Sequence, residues 1–280
     1  MSTLAAFPPA TASTDADATR AAVGVFDSGI GGLSVLRELR LQLPLVPMHY
    51  VADAGYAPYG ERSEGYVVDR SVRIARHLLA QGAGVIVVAC NTATAAAVQT
   101  LRATWPRLAV VGVEPGLKPA VAATRNGHIG VLATPATLAS DKFHALLDRQ
   151  AGSAAVTLQP CPGLASLIER GNFDAPDLRE AVEAFCRPLQ AEGVDTVVLG
   201  CTHYAFVRDV IAEAMGPGVC IIDTAEAVAR HAAHLHARHA TPSSGAPRLR
   251  VQTTGDPDML RGIVTAVCGE ATPVEPVAID

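Results

Sequence analysis

The chain has 280 residues, 49% of them hydrophobic and 18% charged, with a formal net charge of −5. This length and apolar content can bury a large core and allow two domains. Scattered lysines and arginines exclude the basic surface of a typical nucleic-acid-binding protein, and no apolar run approaches the length of a membrane-spanning helix. The N-terminus also lacks the pattern of a signal peptide, so we expect a globular cytoplasmic protein that binds neither nucleic acid nor membranes.

Residues 1–20 are rich in Ala, Thr, Ser, Asp and Pro without apolar periodicity, which predicts a disordered tail. After them, apolar runs alternate with amphipathic segments. They predict strands at residues 23–26, 48–52, 85–88 and 108–113, helices at 33–43 and 66–81, and an Ala-rich helix that starts near residue 91. A glycine-rich turn at residues 27–32 follows the first strand, and a polar loop at residues 53–64 follows the second.

The same pattern restarts at residue 128. Strands are predicted at residues 128–133, 155–159, 196–199 and 219–222, a turn at 134–137, and helices at 138–150 and 177–192. Each strand follows its counterpart in the first half at a nearly constant distance along the chain, which indicates an internal duplication. The sequence therefore predicts an α/β fold of two doubly wound parallel-sheet domains related by pseudo-twofold symmetry, with the active site in the cleft between them.

The predicted domain boundaries follow this repeat. Residues 21–115 are assigned to the first α/β domain and residues 116–223 to the second. Two further helices at 225–239 and 257–267 flank a linker at 241–247 and a strand at 248–252. These elements most simply pack back onto the first unit, so residues 224–280 are assigned to the first domain.

Two cysteines occupy equivalent places in the repeat, because Cys90 and Cys201 each follow a buried strand and precede a polar pair that starts a helical segment. Ligands of open α/β sheets bind outside such strand ends. A helix N-terminus there is expected to lower the pKa of a thiol below its usual value of about 8.5. Two thiols on opposite sides of one carbon suit a proton transfer that removes a proton from one face and delivers another to the opposite face. Such a transfer inverts a stereocentre.

The chain carries no fingerprint for a metal, a nicotinamide or a phosphate, so no cofactor is expected. A pyridoxal phosphate site would need a Schiff-base lysine, and neither Lys118 nor Lys142 lies in a motif for that role. The turn at residues 29–32 is not a nucleotide-binding glycine pattern. No common zinc signature matches the spacing of His231, His234, His236 and His239, which favours an exposed helix over a metal site. The cysteines interpreted as small core residues are Cys161, Cys186, Cys220 and Cys268.

Four motifs resemble those of the cofactor-independent glutamate racemases, within the aspartate/glutamate racemase superfamily. They are VFDSGIGGL at residues 25–33, PYGERS at 58–63, ACNTA at 89–93 and GCTHY at 200–204. The motifs occur in the family's order, and the likeness covers about residues 22–270. The resemblance implies interconversion of L- and D-glutamate without a cofactor, which supplies D-glutamate for bacterial peptidoglycan.

Carried over by position, the resemblance implies that Cys90 is the base for the D-enantiomer and Cys201 the base for the L-enantiomer. Asp27 corresponds to the carboxylate that assists the first thiol, and His203 to the group that assists the second. Glu169 corresponds to a further family glutamate. The implied substrate-binding residues are Asp27, Ser28, Tyr59, Gly60, Asn91, Thr92, Thr134, Thr137, Thr202 and His203. Their hydroxyls, amides and main-chain N–H groups can hold two carboxylates and an ammonium without a basic patch.

Several of these residues have a structural alternative. Asp27 is also a suitable turn cap, His203 a helix cap, Glu169 a solvated helix end and Tyr59 a structural aromatic. At the level of function, the alternatives are racemisation of aspartate or another acidic substrate, a one-thiol decarboxylase or isomerase, and a non-catalytic amino-acid-binding protein built from two lobes. The expected partner is a small acidic molecule, and a homodimer is the assembly left open.

Overall fold

The computed structural model describes residues 22–239, 248–269 and 271–280. The predicted tail at residues 1–20 and the predicted linker at residues 241–247 lie outside these described residues. The first half contains β1 (Ala22–Asp27), α1 (Leu33–Gln42), β2 (Met48–Ala52), α2 (Glu64–Ala80), β3 (Ala83–Val88), α3 (Asn91–Thr104) and β4 (Ala109–Gly112). Short 3₁₀ turns at Ala54–Tyr56 and Tyr59–Glu61 lie within the polar loop between β2 and α2.

The second half and the end of the chain continue the alternation. The second half contains α4 (Leu117–Ala123), β5 (His128–Ala133), α5 (Pro135–Leu138), α6 (Asp141–Gln150), β6 (Ala155–Pro160), α7 (Leu164–Glu169), α8 (Pro176–Ala191), β7 (Thr196–Leu199), a 3₁₀ turn (Thr202–Val207), α9 (Arg208–Met215) and β8 (Cys220–Ile222). The remaining elements are α10 (Ala225–His239), β9 (Leu249–Thr253), α11 (Pro257–Cys268) and β10 (Val274–Pro276).

The strands form two sheets. The six-stranded sheet has the order β10-β9-β2-β1-β3-β4, and the four-stranded sheet has the order β6-β5-β7-β8. Every strand pairing among the described residues is parallel. The order β2-β1-β3-β4 in one sheet matches β6-β5-β7-β8 in the other, as expected for a duplicated unit. The predicted α/β fold with two doubly wound parallel sheets is therefore confirmed.

The sheet around β1, β2, β3, β4, β9 and β10 is called the first lobe here, and the sheet around β5 to β8 the second lobe. The central strands β1 and β3 are buried along their whole length, because helices cover both faces of the first sheet. One face packs against α1 and α10, and the other against α2 and α3. Such two-sided burial explains why these strands read as continuous apolar runs rather than as alternating patterns.

The segment after β5 differs from its prediction. The prediction of a turn at residues 134–137 followed by one helix at residues 138–150 is wrong. The structure has two helices instead, because α5 ends at Leu138 and α6 begins only at Asp141. Two caps cause the break. The Thr134 side chain accepts from the Thr137 amide with Pro135 in the first turn, and the Ser140 side chain accepts from the Phe143 amide.

Other differences concern short elements. The sequence analysis missed α4, α7 and β10, which have 7, 6 and 3 residues. Segments of this length complete too few turns or alternations to produce a periodic apolar pattern. The segment after Cys201 starts with a 3₁₀ turn before α9. Within the described part of the chain, none of the helices combines the length and the apolar character needed to cross a membrane.

Candidate active site

The predicted site residues collect where the carboxyl ends of the two sheets meet. Asp27 is the last residue of β1, Cys90 is the second residue after β3, and Cys201 is the second residue after β7. Thr134 directly follows β5. The 3₁₀ turn at Tyr59–Glu61 in the first lobe contacts α5, and the turn at Thr202–Val207 in the second contacts α1. The two strand-end edges therefore face each other across one site.

The glycine-rich turn after β1 is held by two side chains. The Asp27 carboxylate accepts hydrogen bonds from the Ser28 amide at 2.7 Å and the Gly32 amide at 2.6 Å. The Tyr50 hydroxyl donates to the Gly29 carbonyl at 2.6 Å. Asp27 is therefore a turn cap and at the same time a fully buried carboxylate in the site.

The turn needs glycine because the second lobe packs directly against it. A Cβ atom on Gly31 would lie 2.5 Å from His203 Nδ1 and 2.7 Å from both Asp27 Oδ2 and Thr202 Oγ1. A Cβ atom on Gly29 would overlap the Glu169 carboxylate. The glycines thus allow contact between the lobes, and this contact accounts for the pattern without a phosphate ligand.

Replacement of Gly31 by alanine is expected to lower kcat/KM by roughly tenfold or more, because the added methyl group pushes His203 and Asp27 away from their positions. Steady-state assays of the activity that the four motifs imply measure this effect, and thermal unfolding separates it from loss of fold. The matched control is Gly65→Ala, since nothing lies within 4 Å of a Cβ atom at that exposed position in α2. Equal kcat/KM values for both variants would contradict the proposed crowding.

The Cys90 sulfur is almost fully buried, with 5% of the residue exposed. It caps α3 by accepting from the Ala93 amide at 3.5 Å, and it lies 3.9 Å from Ser28 Oγ. The prediction that the pKa of this thiol lies below its usual value is wrong, because burial outweighs the effect of the helix N-terminus. Burial raises the pKa of Cys90 well above its usual range, and the nearby Asp27 charge adds to the rise. The Ala93 amide lowers the pKa by too little to offset them.

Asp27 is a suitable partner for this thiol. Burial raises its pKa as well, while the positive charge of His203 and a hydrogen bond from Cys90 act in the opposite direction. A carboxylate and a thiol that both resist ionisation are able to share one proton between them. Cys201 also lies near enough that its charge raises the pKa of Cys90 further. The two cysteines are therefore close to each other in one buried site.

Cys201 belongs to a second cluster with His203 and Glu169. Its sulfur lies 3.7 Å from His203 Nδ1, and His203 Nε2 pairs with the Glu169 carboxylate. Glu169 also accepts from the Ile30 amide at 2.8 Å, so it joins the second lobe to the glycine-rich turn of the first. Burial acts to lower the pKa of His203, but the charge of Glu169 and the hydrogen bonds to Cys201 and Glu169 raise it well above its ordinary value. His203 is therefore held as an imidazolium between the Glu169 carboxylate and the Cys201 sulfur.

Three hydroxyl groups form a cluster between the lobes. Thr92 Oγ1 lies 3.1 Å from Thr134 Oγ1 and 3.3 Å from Thr137 Oγ1, and Thr134 donates to Thr137 at 3.0 Å. Hydroxyls of this kind can turn to donate to a carboxylate.

Two further polar side chains lie in the site. Thr202 Oγ1 lies 3.5 Å from Asp27 Oδ2. Asn91 Nδ2 donates to the Val113 carbonyl, and Asn91 Oδ1 alone among the buried side-chain nitrogen and oxygen atoms of the described residues has no partner.

Tyr59 and Gly60 lie at the edge of this cluster. A Cβ atom on Gly60 would lie 2.8 Å from Thr134 Cγ2, so the loop packs directly on the threonines. Tyr59 is buried in the same apolar cluster as Cys90, and its hydroxyl donates to Asp53. The hydroxyl of Tyr59 therefore already has a partner within the protein. If this residue contacts the substrate, the contact is made by its ring or its backbone.

The remaining candidates are the histidines of α10, a lysine and the other cysteines. Four histidines lie on α10, and no group of three or more His, Cys, Asp or Glu side chains suited to a metal occurs in residues 22–239, 248–269 and 271–280. Lys142 pairs with Glu114 at 3.4 Å. Burial raises the pKa of Cys161 to about 12 and that of Cys186 to about 11, which keeps both thiols protonated near neutral pH. Cys161 and Cys186 thus have the character of core residues. The same prediction is wrong for Cys220, which is exposed at the start of the short strand β8, and Cys268 is only partly buried.

Sequence reasoning missed Asp53 and Arg70. Asp53 is fully buried directly after β2, and Arg70, with 5% of the residue exposed, forms a two-pronged ion pair with it. One feature of the sequence pointed to Asp53. It is an acidic residue at the carboxyl end of a predicted strand, as Asp27 is. Its buried partner lies 17 residues away on α2, at a spacing that no local motif marks.

The sequence and the structure were compared with known proteins. The family model for Asp/Glu/Hydantoin racemase matches residues 36–232. A glutamate racemase of Ectopseudomonas mendocina is 49% identical over 257 residues, which cover 91% of this chain and 98% of the relative. The structure of Escherichia coli glutamate racemase in complex with L-glutamate and the activator UDP-MurNAc-Ala superimposes with a TM-score of 0.83 at 32% identity, covering 92% of this chain and 98% of that one.

A third similarity is to the glutamate racemase of Francisella tularensis in complex with D-glutamate, with a TM-score of 0.80 and 26% identity over 93% of this chain and 98% of that one. The family model matches well over half of the chain, and each of the three alignments covers nearly the full length of the relative. The resemblance in the four motifs is thereby confirmed. The chain belongs to the Asp/Glu/Hydantoin racemase family, among its glutamate racemases.

Proposed function

We propose that this chain interconverts L- and D-glutamate by a two-base proton transfer between Cys90 and Cys201, without a cofactor. The observation that carries the proposal is the placement of two buried thiols at equivalent strand ends of duplicated lobes, near enough for their charges to interact. A carbon bound between them would have one sulfur on each face. That is the arrangement an inversion requires.

The steps follow from this arrangement. With L-glutamate bound, the Cys201 thiolate removes the α-proton, and the Cys90 thiol delivers its proton to the opposite face of the same carbon. The product is D-glutamate, Cys201 ends as a thiol and Cys90 as a thiolate. The reverse reaction starts from that state with D-glutamate. Net atoms and electrons are unchanged, because one proton leaves the carbon and one arrives.

Each thiol has a neighbour suited to its change of charge. In the direction that starts from D-glutamate, the Asp27 carboxylate can accept the Cys90 proton and leave the thiolate that the reaction needs. The positive charge of His203 lowers the pKa of Asp27 and so favours its ionised form, which can take up that proton. His203, held protonated by Glu169, lies 3.7 Å from the Cys201 sulfur and stabilises its thiolate. The substrate ammonium adds a further positive charge when it enters the site. These roles of Asp27, His203 and Glu169 belong to the proposal.

Hydroxyl and amide groups would hold the substrate carboxylates. The groups suited to this role are Ser28, Asn91, Thr92, Thr134, Thr137 and Thr202, together with the main chain at Tyr59 and Gly60. Because the site is buried, neutral donors there interact strongly with a carboxylate. The relatives that bind L- and D-glutamate support glutamate as the substrate of this chain.

Incubation of the purified chain with either glutamate enantiomer in deuterated water tests the function. We expect the circular dichroism signal of glutamate to decay to zero without added cofactor, with deuterium at the α-carbon of the product. Aspartate under the same conditions is expected to change far more slowly. Faster turnover of aspartate would assign a different acidic substrate, and glutamate binding without exchange would identify a non-catalytic receptor.

The D-glutamate formed is a component of bacterial peptidoglycan, and this supply is the known role of the family. We propose that the reaction takes place in the cytoplasm. A homodimer is the proposed assembly. Light scattering of the purified chain at several concentrations tests it, because a monomer mass at all of them would refute it.

A further inference from the structure

We infer that Asp53 and Arg70 are positioning residues that hold the substrate-facing loop at residues 57–61 in place, and that the carboxyl end of the chain is part of this support. The inference rests on the proposed function, because it assigns residues to the same site. Neither residue contacts the two thiols. Their effect is transmitted through Tyr59 and Gly60.

Asp53 is the centre of a buried polar network. Its Oδ1 accepts from Arg70 Nη2 at 2.8 Å and from Thr254 Oγ1 at 2.9 Å. Its Oδ2 accepts from Arg70 Nε at 3.0 Å and from the Tyr59 hydroxyl. All four hydrogen bonds reach one carboxylate that is fully buried, and the arginine pairs with it in the two-pronged geometry that fixes orientation.

Arg70 connects this network to the end of the chain. Its third donor, Nη1, lies 2.6 Å from the Ile279 carbonyl, and its guanidinium carbon lies 3.5 Å from the centre of the Tyr56 ring. Ile279 is itself buried in the apolar cluster that contains Tyr59 and Cys90. Ile279 and the partly buried Val277 therefore pack in the same part of the first lobe as Tyr59 and Cys90.

The network reaches the substrate site by two routes. The Asp53 amide donates to the Asp27 carbonyl at 2.9 Å, which links the ends of β2 and β1. Through the Tyr59 hydroxyl, Asp53 fixes the turn whose Gly60 packs on Thr134, within the cluster of Thr92, Thr134 and Thr137. A loosened carboxylate at Asp53 would therefore shift the loop and the threonine hydroxyls together.

A lysine at position 70 keeps the positive charge but cannot hold both Asp53 oxygens and the Ile279 carbonyl in one plane. Arg70→Lys is expected to raise the KM for glutamate roughly tenfold while kcat changes by less than about threefold, since the thiols keep their partners. Thr254→Val removes one hydrogen bond to Asp53 and keeps both charges, so it is expected to raise KM by a smaller factor, about twofold to fivefold.

The matched control is Arg73→Lys. Arg73 lies on the same helix, three residues from Arg70, and its pair with Asp69 is partly exposed, at 39% and 43%, whereas the pair of Arg70 with Asp53 is buried. This substitution is expected to leave KM and kcat unchanged. Thermal unfolding of all variants is measured alongside, because a merely structural pair would lower the unfolding temperature without changing the KM of the folded enzyme.

Steady-state assays in both directions decide the inference. An unchanged KM in Arg70→Lys and Thr254→Val would overturn it, whatever their unfolding temperatures. If Arg70→Lys fails to fold, the KM of Thr254→Val alone decides. Turnover by the unsubstituted chain tests the proposed function separately. Should that chain not racemise glutamate, calorimetric affinity for D-glutamate across the same variants replaces KM as the deciding measurement.

Discussion

Replacement of Cys90 or Cys201 by alanine is expected to lower racemisation by at least about 10⁴-fold in both directions, because each direction needs one thiolate and one thiol. The loss for the two variants is expected to be similar. Neither variant is expected to keep a substantial share of the racemisation rate, because an alanine side chain can neither remove nor deliver a proton. The rate is measured by the decay of the circular dichroism signal from each pure enantiomer.

The two variants are expected to differ in proton exchange. Cys201→Ala keeps the base that faces D-glutamate, so it should still exchange the α-proton of D-glutamate with deuterated water and return the same enantiomer. Cys90→Ala should do the same only with L-glutamate. Proton NMR of the α-position follows this exchange. The opposite pattern would reverse the assignment of the two thiols, and exchange of both enantiomers by one variant would refute a two-thiol mechanism.

Cys220→Ala provides the control for loss of a thiol. Cys220 is exposed at the start of β8, away from the strand ends that carry the site. Its replacement is expected to leave both racemisation and exchange unchanged. Unfolding curves for the three variants check that the alanines at the buried positions leave the fold intact, since even a small cavity removes part of a marginal stability.

Local patterns predicted the parts of the fold that local forces determine. The strands at residues 48–52 and 128–133 and the helix at 225–239 have the bounds that the sequence indicated. Each is long enough to express its period, or lies between clear polar or glycine boundaries. The two cysteines could be found for the same reason, because each follows a buried strand and starts a capping sequence.

Contacts between distant segments could not be predicted from patterns. Glu169 meets the Ile30 amide across 139 residues, and Asp53 meets Thr254 across 201 residues. Glu169 was placed by family resemblance alone, with a solvated helix end as the alternative, whereas only the fold brings it against His203. The pKa of Cys90 was predicted in the wrong direction because the helix N-terminus is visible in the sequence and the burial imposed by the second lobe is not.

Replacement of Glu169 by glutamine is expected to lower kcat/KM roughly 10²-fold and to move the alkaline limb of its pH profile to lower pH. Burial lowers the pKa of His203, and the carboxylate charge of Glu169 is the largest of the effects that raise it above its ordinary value. Without that charge the imidazolium loses its proton at lower pH. The Cys201 thiolate then loses its cationic neighbour within the pH range in which the unsubstituted enzyme remains active.

The same substitution has a consequence for stability whose sign is fixed by linkage. A histidine with a raised pKa in the folded state stabilises the fold at low pH, and this stabilisation is lost as the pH rises through the folded-state pKa. Glu169→Gln should therefore remove stability mainly below that pKa. Unfolding temperatures measured across pH, together with NMR titration of the His203 ring, test this sign.

Glu180→Gln is the matched control for Glu169→Gln, because Glu180 is exposed on α8 in the same lobe and no contact joins it to the thiols. It should leave the pH profile in place. An alkaline limb that stays fixed in Glu169→Gln would mean that His203 does not carry the positive charge beside Cys201. In that case Glu169 would act only through the Ile30 amide, as a support for the glycine-rich turn.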